Sequence, residues 1–367
     1  MIRLAVVGLG KMGLSHHAMI NAHEGIEVAA ICDSTGYVLD VLNKYTGVTV
    51  YTDFDLMLRE VKLDAIIIAT PSSMHADMVR KALNANLHVF CEKPFCLDTS
   101  EGEEVTRLAI GKARVNQVGY HCRFIGAFQE VKRLLDVNAI GDITHALAEA
   151  YGPVVLKQKG STWRTQRASG GGCLYDYAAH PLNLLNWYLG APRGVGGTIL
   201  NKIFSSDTED EVFGTLYYDQ GQSAQISVSW SDESYRKMST KVTLWGKFGR
   251  ICADRQEIQV YFRNDAPLPA GYQHGWNVRY TTELTEPVNF YLRGEEYSAQ
   301  LDYFVRCIEE QRFDSNVNSF SEALKTDQVI SMMIADAEKG PSVLSQDTLP
   351  DTKKETRSFF TNLFKSV

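Results

Sequence analysis

The chain has 367 residues, 44% hydrophobic and 22% charged, with a formal net charge of −7. That length and ordinary globular composition suit two domains, and the acidic balance argues against a nucleic-acid binder or a general attraction to anionic membrane. Seven cysteines form no CxxC pair, which fits reduced, mostly buried thiols.

Met1 to Gly8 runs directly into a strand, leaving no room for a secretory leader. The longest apolar stretches, such as Ala65 to Ala69, fall far short of the ~20 residues a membrane helix needs. A soluble, cytoplasmic protein is expected.

From residue 2 to about 120, short runs rich in Val, Ile and Ala alternate with helical stretches. The runs are Leu4–Val7, Val28–Cys32, Ala65–Ala69, His88–Cys91 and Val115–Gly119; His75–Asn84 and Ser100–Lys112 have helical character. Strands apolar on both faces, separated by helices, predict a doubly wound parallel sheet. After residue 123 the pattern changes. A helix over Ala127–Leu135 precedes strands at Thr144–Tyr151, Glu211–Tyr218, Ser223–Trp230, Lys241–Trp245 and Glu257–Phe262. Short turns such as Asp219-Gln220-Gly221-Gln222 predict a mostly antiparallel, open sheet. Helices at Tyr297–Glu310 and Ser321–Lys339 follow. The expected domains are an α/β Rossmann domain over 1–122, an α+β domain over 123–345 and a tail over 346–367, whose Phe359, Phe360 and Phe364 suit docking on a neighbour.

Gly8-Leu9-Gly10-Lys11-Met12-Gly13 is a GxGxxG loop between a strand and a helix. Its first glycine permits the tight turn, the second admits a pyrophosphate, and the third lets helix and strand pack closely. An acid, Asp33, follows twenty residues after Gly13, where it can bind a ribose 2′-hydroxyl. Ser34-Thr35-Gly36 brings no cation to offset a 2′-phosphate, so NAD is favoured over NADP. The plainer alternative is that Asp33 caps the next helix.

Three further segments carry a resemblance: Ala69-Thr70-Pro71-Ser72-Ser73-Met74-His75, Cys91-Glu92-Lys93-Pro94, and Gly170 through His180. With the glycine loop, and in this order from Arg3 to about Gly340, the chain resembles the Gfo/Idh/MocA oxidoreductases (glucose-fructose oxidoreductase and inositol dehydrogenase relatives). The resemblance implies cofactor contacts at Gly8, Gly10, Lys11, Met12, Gly13, Asp33, Thr70, Pro71, Ser72, Glu92 and Lys93. His75 is expected either to touch the cofactor or to fix its loop. Lys93 reads as the catalytic-site lysine, and Asp176 with His180 as the substrate-side pair. The sequence departs from the family pattern at Ala178, at Asn183, where an acid is common, and at Asn86-Leu87.

Alcohol oxidation needs a base within hydrogen-bond reach of the hydroxyl and titrating near working pH, a task that suits histidine. In a helix over 174–188, Asp176 and His180 fall at i and i+4, so the carboxylate could orient the imidazole or hold a substrate hydroxyl. Lys93 would steady developing alkoxide charge, and either Lys93 or His180 could carry the proton, each relaying to the other. Trp163, Arg164 and Arg123 are candidate substrate contacts, with Arg164 or Arg167 suited to an anionic group; Tyr120 and His121 face either the cleft or the domain junction. No metal site is expected, since the nine histidines offer no HExxH, and His16-His17 read as packing or solvent-facing.

The resulting expectation is a nicotinamide-dependent dehydrogenase or reductase acting on a hydroxyl or ketone of a sugar, cyclitol or derivative. An NAD-dependent glycoside hydrolase working by transient C3 oxidation and a non-catalytic dinucleotide-binding regulator are the alternatives. The open sheet of the second domain, with one face uncovered, predicts a homodimer or homotetramer.

Overall fold

The structure is a computed structural model that describes residues 1–158, 162–313 and 316–340. The tail, including Phe359, Phe360 and Phe364, lies outside the described residues.

The first half builds β1 (Ile2–Val7), α1 (Lys11–Asn21), β2 (Ile26–Cys32), α2 (Gly36–Thr46), β3 (Thr49–Tyr51), α3 (Phe54–Glu60), β4 (Ala65–Ile68), α4 (His75–Asn84), β5 (His88–Cys91), α5 (Thr99–Gly111) and β6 (Asn116–Val118). The strands form one parallel sheet in the order β3-β2-β1-β4-β5-β6. Strand order reverses beside β1, and in such sheets ligands bind beyond the carboxyl ends of the strands at that point. Alternation explains why these strands are apolar throughout. Leu4, Val6, Ile67 and Phe90 fill one face's core while Ala5, Val7, Ile66 and Ile68 fill the other. Asn86 takes φ 61° just before β5, a left-handed turn that Asn tolerates.

The second half continues through α6 (Gly126–Asp136), β7 (Ile143–Tyr151), α7 (Ala179–Leu189), β8 (Gly194–Asn201), β9 (Glu211–Tyr217), β10 (Ser223–Ser229), β11 (Ser239–Gly246), β12 (Gly249–Ala253), β13 (Glu257–Phe262), β14 (Gly275–Tyr280), α8 (Thr281–Leu284), α9 (Glu295–Glu309) and α10 (Phe320–Lys339). Its eight-stranded sheet runs β14-β13-β12-β11-β7-β10-β9-β8, antiparallel except where β7 meets β10. One face buries Ala146, Ala148, Val228, Val242, Leu244 and Val260 in the main core, with α6, α7 and α10 packed against the sheet. The other face leaves Ile199, Trp276, Val278 and Tyr280 about half exposed.

The division at residue 122 is less clean than expected. Helix α9 returns to the parallel sheet, where Leu301, Phe304 and Val305 join the core of Leu4, Val6 and Phe90. Phe304 is fully buried and meets Phe90 edge-on at 5.9 Å; truncating such a ring to alanine typically costs about 3–5 kcal/mol. The late helix thus ties the two halves together beside the glycine loop.

Candidate active site

The glycine loop follows β1 directly. Gly8 sits at φ +85° and donates its N–H to the Cys32 carbonyl (2.8 Å). A Cβ there would lie 2.6 Å from the Ala69 carbonyl oxygen, and one on Gly13 would lie 1.7 Å from the Gly8 oxygen. A Cβ on Gly10 would meet nothing within 4 Å. Gly8 and Gly13 are therefore required by packing, whereas Gly10 borders open space. Helix α1 begins next to that space, at Lys11 and Met12, with no side-chain cap and no acid in its first turn. Such a helix end attracts an anion.

Asp33, at the end of β2, closes the cradle. Its carboxylate accepts the Leu9 N–H at 2.5 Å and the Thr35 N–H at 2.7 Å. Thr35, not Asp33, is the N-cap of α2, so the acid holds the glycine loop. Two bonds leave a carboxylate with free lone pairs for a ribose diol. The donor set fits a dinucleotide: a bare glycine, an open helix end and an acid at the strand's end.

Thr70, Pro71 and Ser72 follow β4 at the crevice. Ser72 is buried, and a Cβ on Gly170 would come within 3.0 Å of its hydroxyl. The glycine run 170–172 is thus a packing device. A Cβ on Gly171 would strike the carbonyls of Trp163 and Arg164, and one on Gly172 would strike the Glu209 carboxylate, which itself accepts the Leu174 N–H (2.8 Å).

His75 is 1% exposed, and its ring nitrogens lie 2.8 Å from the Pro94 carbonyl and 3.0 Å from the Thr70 carbonyl. Both nitrogens are engaged by backbone, so the cofactor contact allowed for His75 gives way to its other reading. It fastens the Thr-Pro loop to the Lys93-Pro94 turn.

Glu92 and Lys93 leave the end of β5 in different directions. Glu92 meets the fully buried His16 at 2.6 Å and accepts the Lys93 N–H at 3.2 Å. Burial disfavours its charge, but His16 and Lys93 outweigh that and hold the carboxyl below its ordinary range. Sequence reasoning gave His16 no partner. The pair is 76 residues apart, and no local spacing announces it.

Lys93 reaches across to the second half. Its Nζ donates to Asp176 Oδ1 and to the Asp176 carbonyl, both at 2.8 Å. Arg164 Nε donates to Asp176 Oδ2 at 3.2 Å, and its guanidinium lies 4.5 Å over the Trp163 ring. Burial penalises the Asp176 charge, but Lys93 and Arg164 overcome this and hold its carboxyl below the usual range.

Residues 174–178 form a π-helical turn ahead of α7. Here the expected Asp176–His180 contact fails. The carboxylate's partners are Lys93 and Arg164, while His180 Nδ1 lies 3.8 Å from Cys122 Sγ and its ring meets His121 edge-on at 4.8 Å. Burial, followed by the charges of Lys93 and His121, drives the His180 pKa well below 6.5. The imidazole is therefore neutral near pH 7 and able to accept a proton.

Arg123 also differs from expectation. It is 1% exposed, with Nε 2.8 Å from Asn183 Oδ1 and its terminal nitrogens on the Asn183 and Val317 carbonyls and Glu322. Its donors are spent inside the fold, so it is a clamp between α7 and α10 and no substrate ligand. Asn183 is this arginine's neutral partner. His121 lies at the junction, stacked on Tyr297 of α9 at 4.4 Å. Arg293, just before α9, covers the other side of this corner: it lies over Tyr297 and within 3.5 Å of Ser15 in α1. Neither Tyr297 nor Arg293 was foreseen.

A half-open pocket of about 350 Å³ lined by Phe124, Arg255, Thr281 and Glu296 does not include Lys93, Asp176 or His180. The chemistry-bearing groups lie instead where the two halves meet.

Residues 2–120 match the family model described as the oxidoreductase family, NAD-binding Rossmann fold, and residues 128–252 match that of the GFO/IDH/MocA C-terminal domain. The chain belongs to the Gfo/Idh/MocA oxidoreductase family. Among its relatives, inositol 2-dehydrogenase of Salmonella typhimurium is 27% identical over 193 residues, 51% of this chain and 54% of that enzyme. D-glucoside 3-dehydrogenase of Escherichia coli is 26% identical over 252 residues, 64% of this chain and 70% of that one. The chain thus spans roughly half to two thirds of the length of the curated relatives it matches. A levoglucosan dehydrogenase, solved with NADH and levoglucosan, superposes with a TM-score of 0.80 at 20% identity, over 92% of this chain and 97% of that one. At that identity the likeness speaks for the fold of this Gfo/Idh/MocA member. The six-stranded parallel sheet and the mostly antiparallel eight-stranded sheet are as expected.

Proposed function

We propose that this protein is an NAD(H)-dependent dehydrogenase that oxidises a secondary hydroxyl of a sugar, cyclitol or related polyhydroxylated ring, or reduces the corresponding ketone. The observation that carries the reading is the Lys93–Asp176 pair, 2.8 Å across the junction of the two halves, with the neutral imidazole of His180 four residues further along the same helical segment. Bound at Gly10 and Asp33, the dinucleotide would supply the hydride acceptor.

The chain's own residues do the rest. His180 accepts the hydroxyl proton. Lys93 donates a hydrogen bond to the substrate oxygen and steadies its developing negative charge, and Asp176 aims the ammonium group. Arg164 braces Asp176 from the other side, and Trp163, 43% exposed, stacks under its guanidinium. The acid at Asp33, with no cation in the three residues after it, supports NAD over NADP.

The names of three relatives, inositol 2-dehydrogenase, D-glucoside 3-dehydrogenase and levoglucosan dehydrogenase, support the substrate class. A screen of cyclitols, aldoses, glycosides and uronates with NAD and with NADP, read by reduced-cofactor absorbance, tests it. Turnover with a polyol and NAD is expected. Activity confined to glycoside cleavage without added cofactor turnover would replace this reading by the hydrolase.

The half-exposed apolar face of the large sheet supports self-association through that face. Sedimentation giving only the 41.1 kDa species would overturn it.

A further inference from the structure

The chain turns after β6 into a short 3₁₀ segment, His121–Phe124, which sets two adjacent potential ligands side by side. Cys122 Sγ lies 3.8 Å from His121 Nε2 and 3.8 Å from His180 Nδ1 at the start of α7. The three ligand atoms lie within 4.8 Å of one another, and all three side chains are more than nine-tenths buried. No carboxylate belongs to this group. Local-spacing rules did not find it because the ligands come from positions 58 residues apart.

We propose that His121, Cys122 and His180 form a site for a thiophilic divalent cation of the Zn²⁺ class, and that its occupancy shuts off proton acceptance at His180. With M–S near 2.3 Å and M–N near 2.05 Å, tetrahedrally placed ligands stand about 3.5 Å apart. The two S···N distances already approach that value. The two imidazole nitrogens must close by up to roughly 1.5 Å, within reach of a rotation of the His121 ring on its Tyr297 stack. One sulfur and two imidazoles select zinc-like ions and disfavour magnesium or calcium, which take oxygen. Three protein ligands also leave the fourth position open.

The balance of the binding step is simple: the cation enters, the Cys122 thiol releases its proton to solvent, and the thiolate and two neutral imidazoles become ligands. Burial already holds both imidazoles neutral, and the thiol, pushed up to about 12, ionises only against the cation. Coordination through Nδ1 leaves the His180 proton on Nε2, so that nitrogen donates and can no longer accept a substrate proton. This second half rests on the base role proposed for His180.

The test uses the full chain, treated with chelator and titrated with Co²⁺ alone. One equivalent is expected to produce a thiolate-to-cobalt charge-transfer band, lost in Cys122→Ser and weakened at least tenfold in affinity in His121→Asn. No band, or a band that survives in Cys122→Ser, overturns the site. In turnover with the polyol found by the screen, one equivalent of Zn²⁺ should lower the rate at least tenfold, reversibly with chelator, and leave Cys122→Ser unaffected. A wild-type band with full turnover under Zn²⁺ would keep the site and sink the His180 base role.

Discussion

Lys93 and Asp176 join the two halves of the protein: the lysine ammonium at the end of β5 donates to both the side chain and the backbone carbonyl of the aspartate. The double contact fixes the ammonium in direction as well as position, and it survives only while both halves keep their relative placement. Arg164 gives Asp176 a second cationic partner, so losing Lys93 does not leave the acid without a counter-charge. The reaction role proposed for Lys93 and its contribution to the fold can therefore be separated at this position.

Lys93→Met should lower kcat by about 10²-fold or more, within the range for removing a transition-state charge partner or proton donor. NADH affinity should change less than about threefold, since the glycine loop and Asp33 are untouched. Steady-state rates with a parallel NADH fluorescence titration measure both quantities. Rates within a factor of two of wild type would remove Lys93 from the reaction.

The glycine loop yields a paired prediction about space. Gly13→Ala drives a Cβ to 1.7 Å from the Gly8 carbonyl oxygen, so α1 must lift from β1; overpacking of this kind costs about 1–3 kcal/mol or more. Gly10→Ala meets nothing within 4 Å and should keep the wild-type melting temperature while weakening NAD binding by about tenfold or more, since the added methyl occupies the phosphate approach. Thermal melts with and without NAD separate the two. An unaffected NAD affinity in Gly10→Ala would mean that the dinucleotide does not pass there.

Much of this site was legible because its signals are local. A strand, GxGxxG and an acid at fixed spacing announce the cradle at Gly8 to Asp33, and buried strands such as Ala65–Ile68 announce themselves by composition. What escaped is non-local or weakly patterned. Strands β8, β12 and β14 begin at glycines, and β8 and β14 lie at the sheet's edges. His16 finds Glu92, and Arg123 finds Asn183 and Glu322, only through the tertiary fold; nothing in a short window says which way an arginine after a strand will turn. The i, i+4 argument for Asp176 and His180 failed because the backbone is π-helical there and because two cations compete for the carboxylate.

With His180 as the proposed base, its depressed pKa sets the pH dependence expected for alcohol oxidation. A base must be unprotonated, so the rate is lost as pH falls through its pKa. Burial and the neighbouring Lys93 and His121 put that pKa well below 6.5, so the acid limb of kcat/KM should lie below pH 6.5, with a plateau through neutrality. His180→Asn should abolish turnover at every pH and retain NADH binding. An acid limb centred at pH 7 or above in wild type would assign the titration to another group.

The same physics gives the buried histidines a share in the acid stability of the protein. His17, His75, His88, His121 and His180 all have pKa values lowered chiefly by burial, His88 to about 4 and His121 to about 3. A depressed folded-state value means that the unfolded chain binds protons first. Stability is then complete above about pH 6.5 and falls as pH drops toward the folded values, with each histidine adding about 1.4 kcal/mol per pH unit to the slope while only its unfolded form is protonated. His88 isolates one of these contributions. Its Nδ1 accepts the Val115 N–H at 2.9 Å, a role that a protonated ring cannot play, and the ring stacks on Phe313. His88→Asn keeps an acceptor without a titrating group. Urea midpoints from pH 7 to pH 4.5 should fall steeply in wild type, with a slope shallower by about one proton in the variant. Parallel curves for the two proteins would mean that His88 protonates equally in the folded and unfolded states.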